Sequence, residues 1–88
     1  MFMNLIKFLD QNEGKKLEVE TERGIIRKVT LKEITYGVKY GELHIINASN
    51  NDNVVINLNE VRNIQNEDEN IIIILDDKED TKIKISAV

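Results

Sequence analysis

Residues 16–31, KLEVETERGIIRKVTL, decide the fold. Apolar and polar residues alternate on both sides of Gly24 with a period of two, the pattern of half-buried strands. Taking Glu22, Arg23 and Gly24 as a three-residue loop, with Gly24 left-handed, turns the segment into a hairpin. Leu17, Val19 and Thr21 then share one face with Ile25, Arg27 and Val29. Lys16, Glu18 and Glu20 face Thr30, Lys28 and Ile26 on the other. Glu18 across from Lys28 is a favourable pair, worth about 0.2–1 kcal/mol. A two-residue loop would mix the two faces. Arg27 is left on the apolar side, with two readings: a rim arginine that snorkels out, or an inward arginine that binds a ligand.

A second hairpin closes the sequence, NIIIILDD (70–77) followed by TKIKISAV (81–88). A loop at 77–81 sets Asp76 across from Lys82, Leu75 from Ile83 and Ile73 from Ile85. The alternative loop at 77–79 would oppose Asp76 and Asp80, which repel. Either way Ile71, Ile73, Leu75, Ile83 and Ile85 share one face. Ile72 and Ile74 are surplus, on the face of Lys82 and Lys84. Burying each fully contributes about 1.5–3 kcal/mol, so something should cover them. One candidate is the stripe Phe2, Leu5, Ile6 and Leu9, spaced as on a helix. The other is a second copy of the chain. Ile72, Ile74, Phe2 and Leu5 therefore form the candidate interaction surface.

The remaining segments fit the same picture. Residues 2–12 predict one short amphipathic helix, with Gly14 at its C-terminal end and Lys15 and Lys16 near the negative pole of its dipole. Such a helix is marginal alone and must pack on something. In TYGVKYGELHIIN (35–47), Val38 and Tyr40 alternate in one phase and Leu43 and Ile45 in the other. Gly41 lies between them and reads as a bulge or sharp bend. Residues 48–52 read as a turn. Val54, Ile56 and Leu58 point inward from the next strand. Leu58, Val61 and Ile64 predict a tight helical turn or a short closing strand, and 65–70 an acidic loop. Of eleven asparagines, Asn50, Asn51, Asn63 and Asn66 sit where turns favour them. The expected fold is mainly β: one domain over 1–88, a small antiparallel, strongly bent sheet or barrel of five to six strands, with one short N-terminal helix.

FLDQNEGKKLEVETERG (8–24) resembles the opening of an Sm-like domain, through Phe8, Leu9, Gly14, Lys15, Leu17, Val19 and Gly24. LNEVRNI (58–64) is similar to the closing element of Sm-like and SH3-like barrels. The resemblance implies a short helix followed by five bent strands closing a barrel, and ring assembly. The glycine of that family's second strand is replaced around Lys28 and Val29, and the final hairpin is additional. TYGVKYGEL (35–43) does not supply the family's RNA-binding signature, so no RNA-binding residue carries over.

The composition narrows the function classes. The chain has 88 residues and a net charge of −4. Residues 1–44 carry +1 and 45–88 carry −5, unlike the basic face of a general nucleic-acid binder. No cysteine is present, so disulfides and thiolate metal sites are excluded. The longest apolar run has five residues, against about 20 for a membrane-spanning helix. No signal peptide is expected, and a cytoplasmic location follows as an expectation. The lack of proline and the abundance of Ile, Asn, Lys and Glu resemble the usage of an AT-rich bacterial genome.

No catalytic motif, phosphate loop or dinucleotide fingerprint is present. His44 alternates with Leu43 and Ile45 and reads as an outward or sheet-packed strand residue. Asp76, Asp77, Glu79 and Asp80 lack the glycine and distal glutamate of an EF-hand loop and read as a solvated hairpin tip. Neither enzyme activity nor a cofactor or metal is expected. The expected role is a non-catalytic binding or assembly module, meeting a protein partner or itself. The alternative is an Sm-like RNA-binding protein in which Tyr36 and Tyr40 stack bases beside Lys28, Lys32 and Lys39, a reading that net charge disfavours.

Overall fold

The alternation around Gly24 folds as two antiparallel strands, β1 (Leu17–Arg23) and β2 (Ile25–Leu31), in a computed structural model that describes residues 2–50 and 52–88. Leu17 pairs with Leu31, Val19 with Val29 and Thr21 with Arg27. The two faces are those read from the sequence, but the register is displaced by two residues. Gly24, at φ +76°, sits at the centre of the turn rather than at its end. A two-residue slip preserves the face of every side chain, which a one-residue slip would not.

The helix α1 (Met3–Gln11) precedes this hairpin, and six strands follow: β3 (Ile34–Lys39), β4 (Glu42–Asn47), β5 (Asn53–Asn57), β6 (Val61–Glu67), β7 (Asn70–Leu75) and β8 (Lys82–Ala87). A 3-10 turn, Leu58–Glu60, links β5 to β6, so 58–64 contains both the tight turn and the closing strand. Among the described residues the chain is mainly antiparallel β with one short helix, as expected, and its strands number eight. They form two sheets, β2-β1-β8-β7-β6 and β3-β4-β5, rather than a closed barrel.

Both sheets turn one face to a common core. The larger sheet contributes Leu17, Val19, Leu31, Ile71, Ile73, Leu75, Ile83 and Ile85, all buried. The smaller contributes Ile34, Leu43, Ile45 and Ile56. Leu5 and Leu9 of α1 are fully buried in the same core. Beyond the helix, the Gly14 amide donates to the Ile34 carbonyl at 2.9 Å and the Ile34 amide to that of Lys15 at 3.1 Å. These bonds tie the helix end to the start of β3.

Three local expectations are corrected. Gly41 is not a bulge in a long strand. It is the second residue of a two-residue hairpin turn, with Tyr40 at φ 54° and Gly41 at φ 74°, closed by the pair Lys39 and Glu42. Two successive positive φ values are the type I′ pattern, which suits strand twist and itself produces the change of phase. Residues 65–70 are not an acidic loop either: they are strand except for the turn at Asp68 and Glu69, because Glu67 pairs with Asn70. Asn63 and Asn66 consequently lie in β6. Asn50 does hold a turn, accepting from the Asp52 amide at 3.0 Å, while Asn51 lies outside the described residues.

Tyr40 is an unusual choice for a left-handed position, which asparagine adopts at lower cost. With 89% exposure its ring contributes no core packing. Tyr40→Asn is expected to raise unfolding free energy by about 0.5–1 kcal/mol, measured by urea denaturation; destabilisation would contradict the turn assignment.

The second hairpin repeats the lesson of the first. Ile73 pairs with Ile83, Ile71 with Ile85, Ile72 with Lys84 and Ile74 with Lys82. This is the register of the alternative loop at 77–79, not the preferred one. Asp76 and Asp80 need not repel as a strand pair because both lie in a five-residue loop, 76–80, closed by the Leu75 amide donating to the Thr81 carbonyl at 2.9 Å. Ile72 and Ile74 are half-buried on the outer face. Strand pairing sets them in rows with Glu20, Lys84 and Gln65, and with Glu22, Lys82 and Asn63. The stems of Lys84 and Lys82 are thus their cross-strand neighbours and cover them in part. The helix is not their cover, since Leu5 and Leu9 join the inner core with Ile71 and Ile73. Leu5, expected on an interaction surface, is a core residue. Phe2 is half-buried at the helix start.

Candidate functional site

Two sheets that do not close leave strand edges free. Among the described residues β2 pairs only with β1, and β5 only with β4. Their outer edges border one groove of about 560 Å³. Ile25, Arg27 and Val29 line it from β2, and Val54, Val55 and Ile56 from β5. Its floor includes Leu75 and Ile83, which at 4% and 5% exposure are the least completely covered residues of the core. The core reaches solvent here. Ile25 is 63% exposed and Val29 40%. An exposed apolar strand edge is a template for another strand, and proteins usually blunt such edges with charge. On β2 the charges present are Arg27 and Lys28. Lys28 points to the outer face, 3.8 Å from Glu18 and 3.9 Å from Glu20. The expected Glu18 pair therefore forms on the diagonal, with Glu20 directly opposite Lys28.

Arg27 is exposed and turns toward the groove. No carboxylate lies within ion-pair distance of it among the described residues, whereas Arg23 has two, Asp77 and Glu79, and Arg62 has one, Asp80. Glu42 and Glu60 line the groove from β4 and the 3-10 turn. Glu42 is 3.4 Å from His44 Nε2, so His44 is an outward strand residue with one acidic neighbour.

The acidic hairpin tip is exposed at Asp76, Glu79 and Asp80, as expected, while Asp77 is held by a set of hydrogen bonds. Asp77 Oδ1 accepts from the amides of Glu79 and Thr81 at 3.1 and 2.9 Å, and Oδ2 from the Thr81 hydroxyl at 2.5 Å. Thr81 is fully buried, and its Oγ1 accepts from Arg23 Nε at 3.0 Å. These bonds anchor Thr81 opposite Leu75 and explain why it pairs rather than loops. Hydrogen bonding from the Thr81 hydroxyl, then from its amide, holds the Asp77 carboxyl below its ordinary value of 3.8, with smaller help from the Glu79 amide and Arg23. A lowered value stabilises the folded state above pH 3.8, and that contribution is lost as pH falls through the folded-state value. Asp77→Asn is expected to lower Tm at neutral pH, with the gap from wild type narrowing below pH 3.8. A gap independent of pH would contradict the role of the carboxylate. Among the described residues no group of three or more His, Asp or Glu side chains is placed to hold a metal ion.

The five residues of the nucleic-acid reading do not converge. Lys28 lies on the outer face of the larger sheet, Lys32 in the turn between β2 and β3, and Tyr36 in the smaller sheet. The Tyr36 ring packs against the core and its hydroxyl donates to Asp10 Oδ1 on α1. Only Lys39 and Tyr40 meet, with Lys39 Nζ 5.3 Å from the ring centroid. Donation to Asp10 raises the Tyr36 hydroxyl above its ordinary value of 10.0; burial and the charges of Asp10 and Glu13 add to this. A raised value stabilises the fold below pH 10.0 and is lost as pH rises through the folded-state value. The Tyr36 hydroxyl is expected to ionise above pH 10.0 in an absorbance titration, and Tyr36→Phe to remove that step. Ionisation of Tyr36 at or below pH 10.0 would contradict the bond to α1.

Sequence reasoning missed the groove, yet its signal was available. Ile25 with Ile26 and Val54 with Val55 are adjacent apolar pairs in alternating strands, the same surplus that drew notice at Ile72 and Ile74. No helix among the described residues is long and apolar enough to cross a membrane. Comparison with known proteins finds no match: no family model, no curated protein and no solved structure matches this chain.

Proposed function

We propose that the protein is a small, non-catalytic contact module, acting in the cytoplasm by binding another polypeptide or a second copy of itself. The observation that carries this reading is the groove between the unpaired edges of β2 and β5, where the core reaches solvent and Ile25, Val29 and Val55 are exposed. Its architecture is read as a variation on the Sm-like and SH3-like plan. The helix, the corner at Lys32 and Glu33 that carries β2 into β3, and the 3-10 turn before β6 support that reading. The hairpin β7–β8, inserted between β6 and β1, is an addition to the plan.

RNA binding is the second reading, favoured by one observation: Tyr40 stands exposed at a turn with Lys39 beside its ring. Light-scattering mass across a dilution series, with a gel shift against single-stranded RNA, separates the two. The contact reading expects concentration-dependent mass or capture of a polypeptide, without RNA binding. RNA retention that Tyr40→Ala abolishes, by a protein that stays monomeric, would overturn it.

A further inference from the structure

Resting on the contact reading, we propose that the groove receives an extended segment of another polypeptide, which adds as a strand to the free edge of β2. The backbone specifies this occupant. An unpaired strand edge presents amides and carbonyls in a ladder that a second strand satisfies and that a helix, with its own bonds internal, does not. β2 offers seven residues and β5 five, long enough to pair a segment of four to six. The groove volume lies within the range of small binding sites.

The side chains specify its composition. On the groove face of β2, Ile25, Arg27 and Val29 occupy alternate positions. A paired strand places its own alternate residues beside them, over the apolar floor of Ile56, Leu75 and Ile83. Apolar residues match Ile25 and Val29, and an acidic residue between them matches Arg27. Arg27 has no carboxylate within ion-pair distance among the described residues. Glu42 and Glu60 line the same groove, and neither is within ion-pair distance of Arg27. The recognised segment thus reads apolar, any, acidic, any, apolar, in extended conformation. Its alternate residues replace the missing cover over the groove floor.

Panning a displayed library of random decapeptides against the protein tests this. The expected result is enrichment of apolar residues two positions either side of an acidic one, with amide shifts of the bound peptide mapping to β2 and the groove floor. Val29→Lys, at a position 40% exposed, is expected to weaken the selected peptide about tenfold or more. Arg27→Glu is expected to shift selection from acidic to basic residues at the central position. Enriched sequences with helical spacing, shifts confined to another face, or an Arg27→Glu variant with unchanged preference would overturn the proposal and leave the contact reading standing. No enrichment, together with monomeric mass and RNA binding, would overturn both.

Discussion

Ile73→Ala is expected to destabilise the protein by about 3 kcal/mol, within the 2–5 kcal/mol typical of such a truncation in a packed core. Ile72→Ala, one residue away, is expected to cost about 1 kcal/mol or less, because only part of a half-buried side chain is lost. Ile73 is fully buried between Ile64 of β6 and Ile83 of β8, the residues paired with it on either side. Truncation leaves a cavity in the common core, and β7, paired on both sides, has little freedom to collapse into it. Ile72 faces outward between Lys84 and Gln65, whose stems can shift to fill the space. Urea denaturation of both variants measures the difference. Equal costs would mean that a second subunit or another element covers the outer face, as the sequence alone had suggested.

Gly41→Val is expected to cost about 2 kcal/mol. Left-handed backbone carries a penalty of about 1–2 kcal/mol for an ordinary residue, more for a β-branched one. Gly41 holds φ at 74°, and a side chain there meets Asn59 Nδ2 at 3.1 Å. Its carbonyl also accepts from the Leu58 amide at 2.9 Å, so the turn positions the 3-10 segment that leads into β6. Gly24→Val isolates the conformational part, since φ there is +76° and nothing lies within 4 Å of an added Cβ. Gly41→Val is therefore expected to be the more damaging of the two, and Asn59→Ala to recover part of the difference. A Gly41→Val protein as stable as wild type would contradict the type I′ turn and restore the reading of Gly41 as a tolerant bulge.

These two cases also show which parts of the fold the sequence makes legible. The faces of β1, β2, β7 and β8 follow from period-two alternation, and they survive a register error because both hairpins are displaced by two residues. The turns are less legible. At Gly24 the same glycine serves at the end of a three-residue loop or at its centre, and only tertiary pairing selects. At Gly41 a change of phase fits a bulge and a two-residue turn equally well. Glu33, Tyr40, Asp68 and Asp80 all take positive φ, and no pattern in their neighbours marks them. The network of Arg23, Asp77 and Thr81 joins residues 58 positions apart and has no local signature. Ile72 and Ile74 were rightly seen as surplus, but their partial cover is a pair of lysine stems rather than a helix. The groove was legible only in part: the apolar pairs Ile25–Ile26 and Val54–Val55 marked its strands, but not that β5 of one sheet approaches β2 of the other.

The account depends most on β2 and β5 being open in the isolated chain. Residue-resolved amide hydrogen exchange in dilute solution tests this directly. Amides of β2 and β5 that point away from β1 and β4 are expected to exchange far faster than those of β8, which is bonded on both sides. Uniform protection along β2 and β5, equal to that of β8 in a monomer, would mean a closed barrel with no groove and would contradict the account.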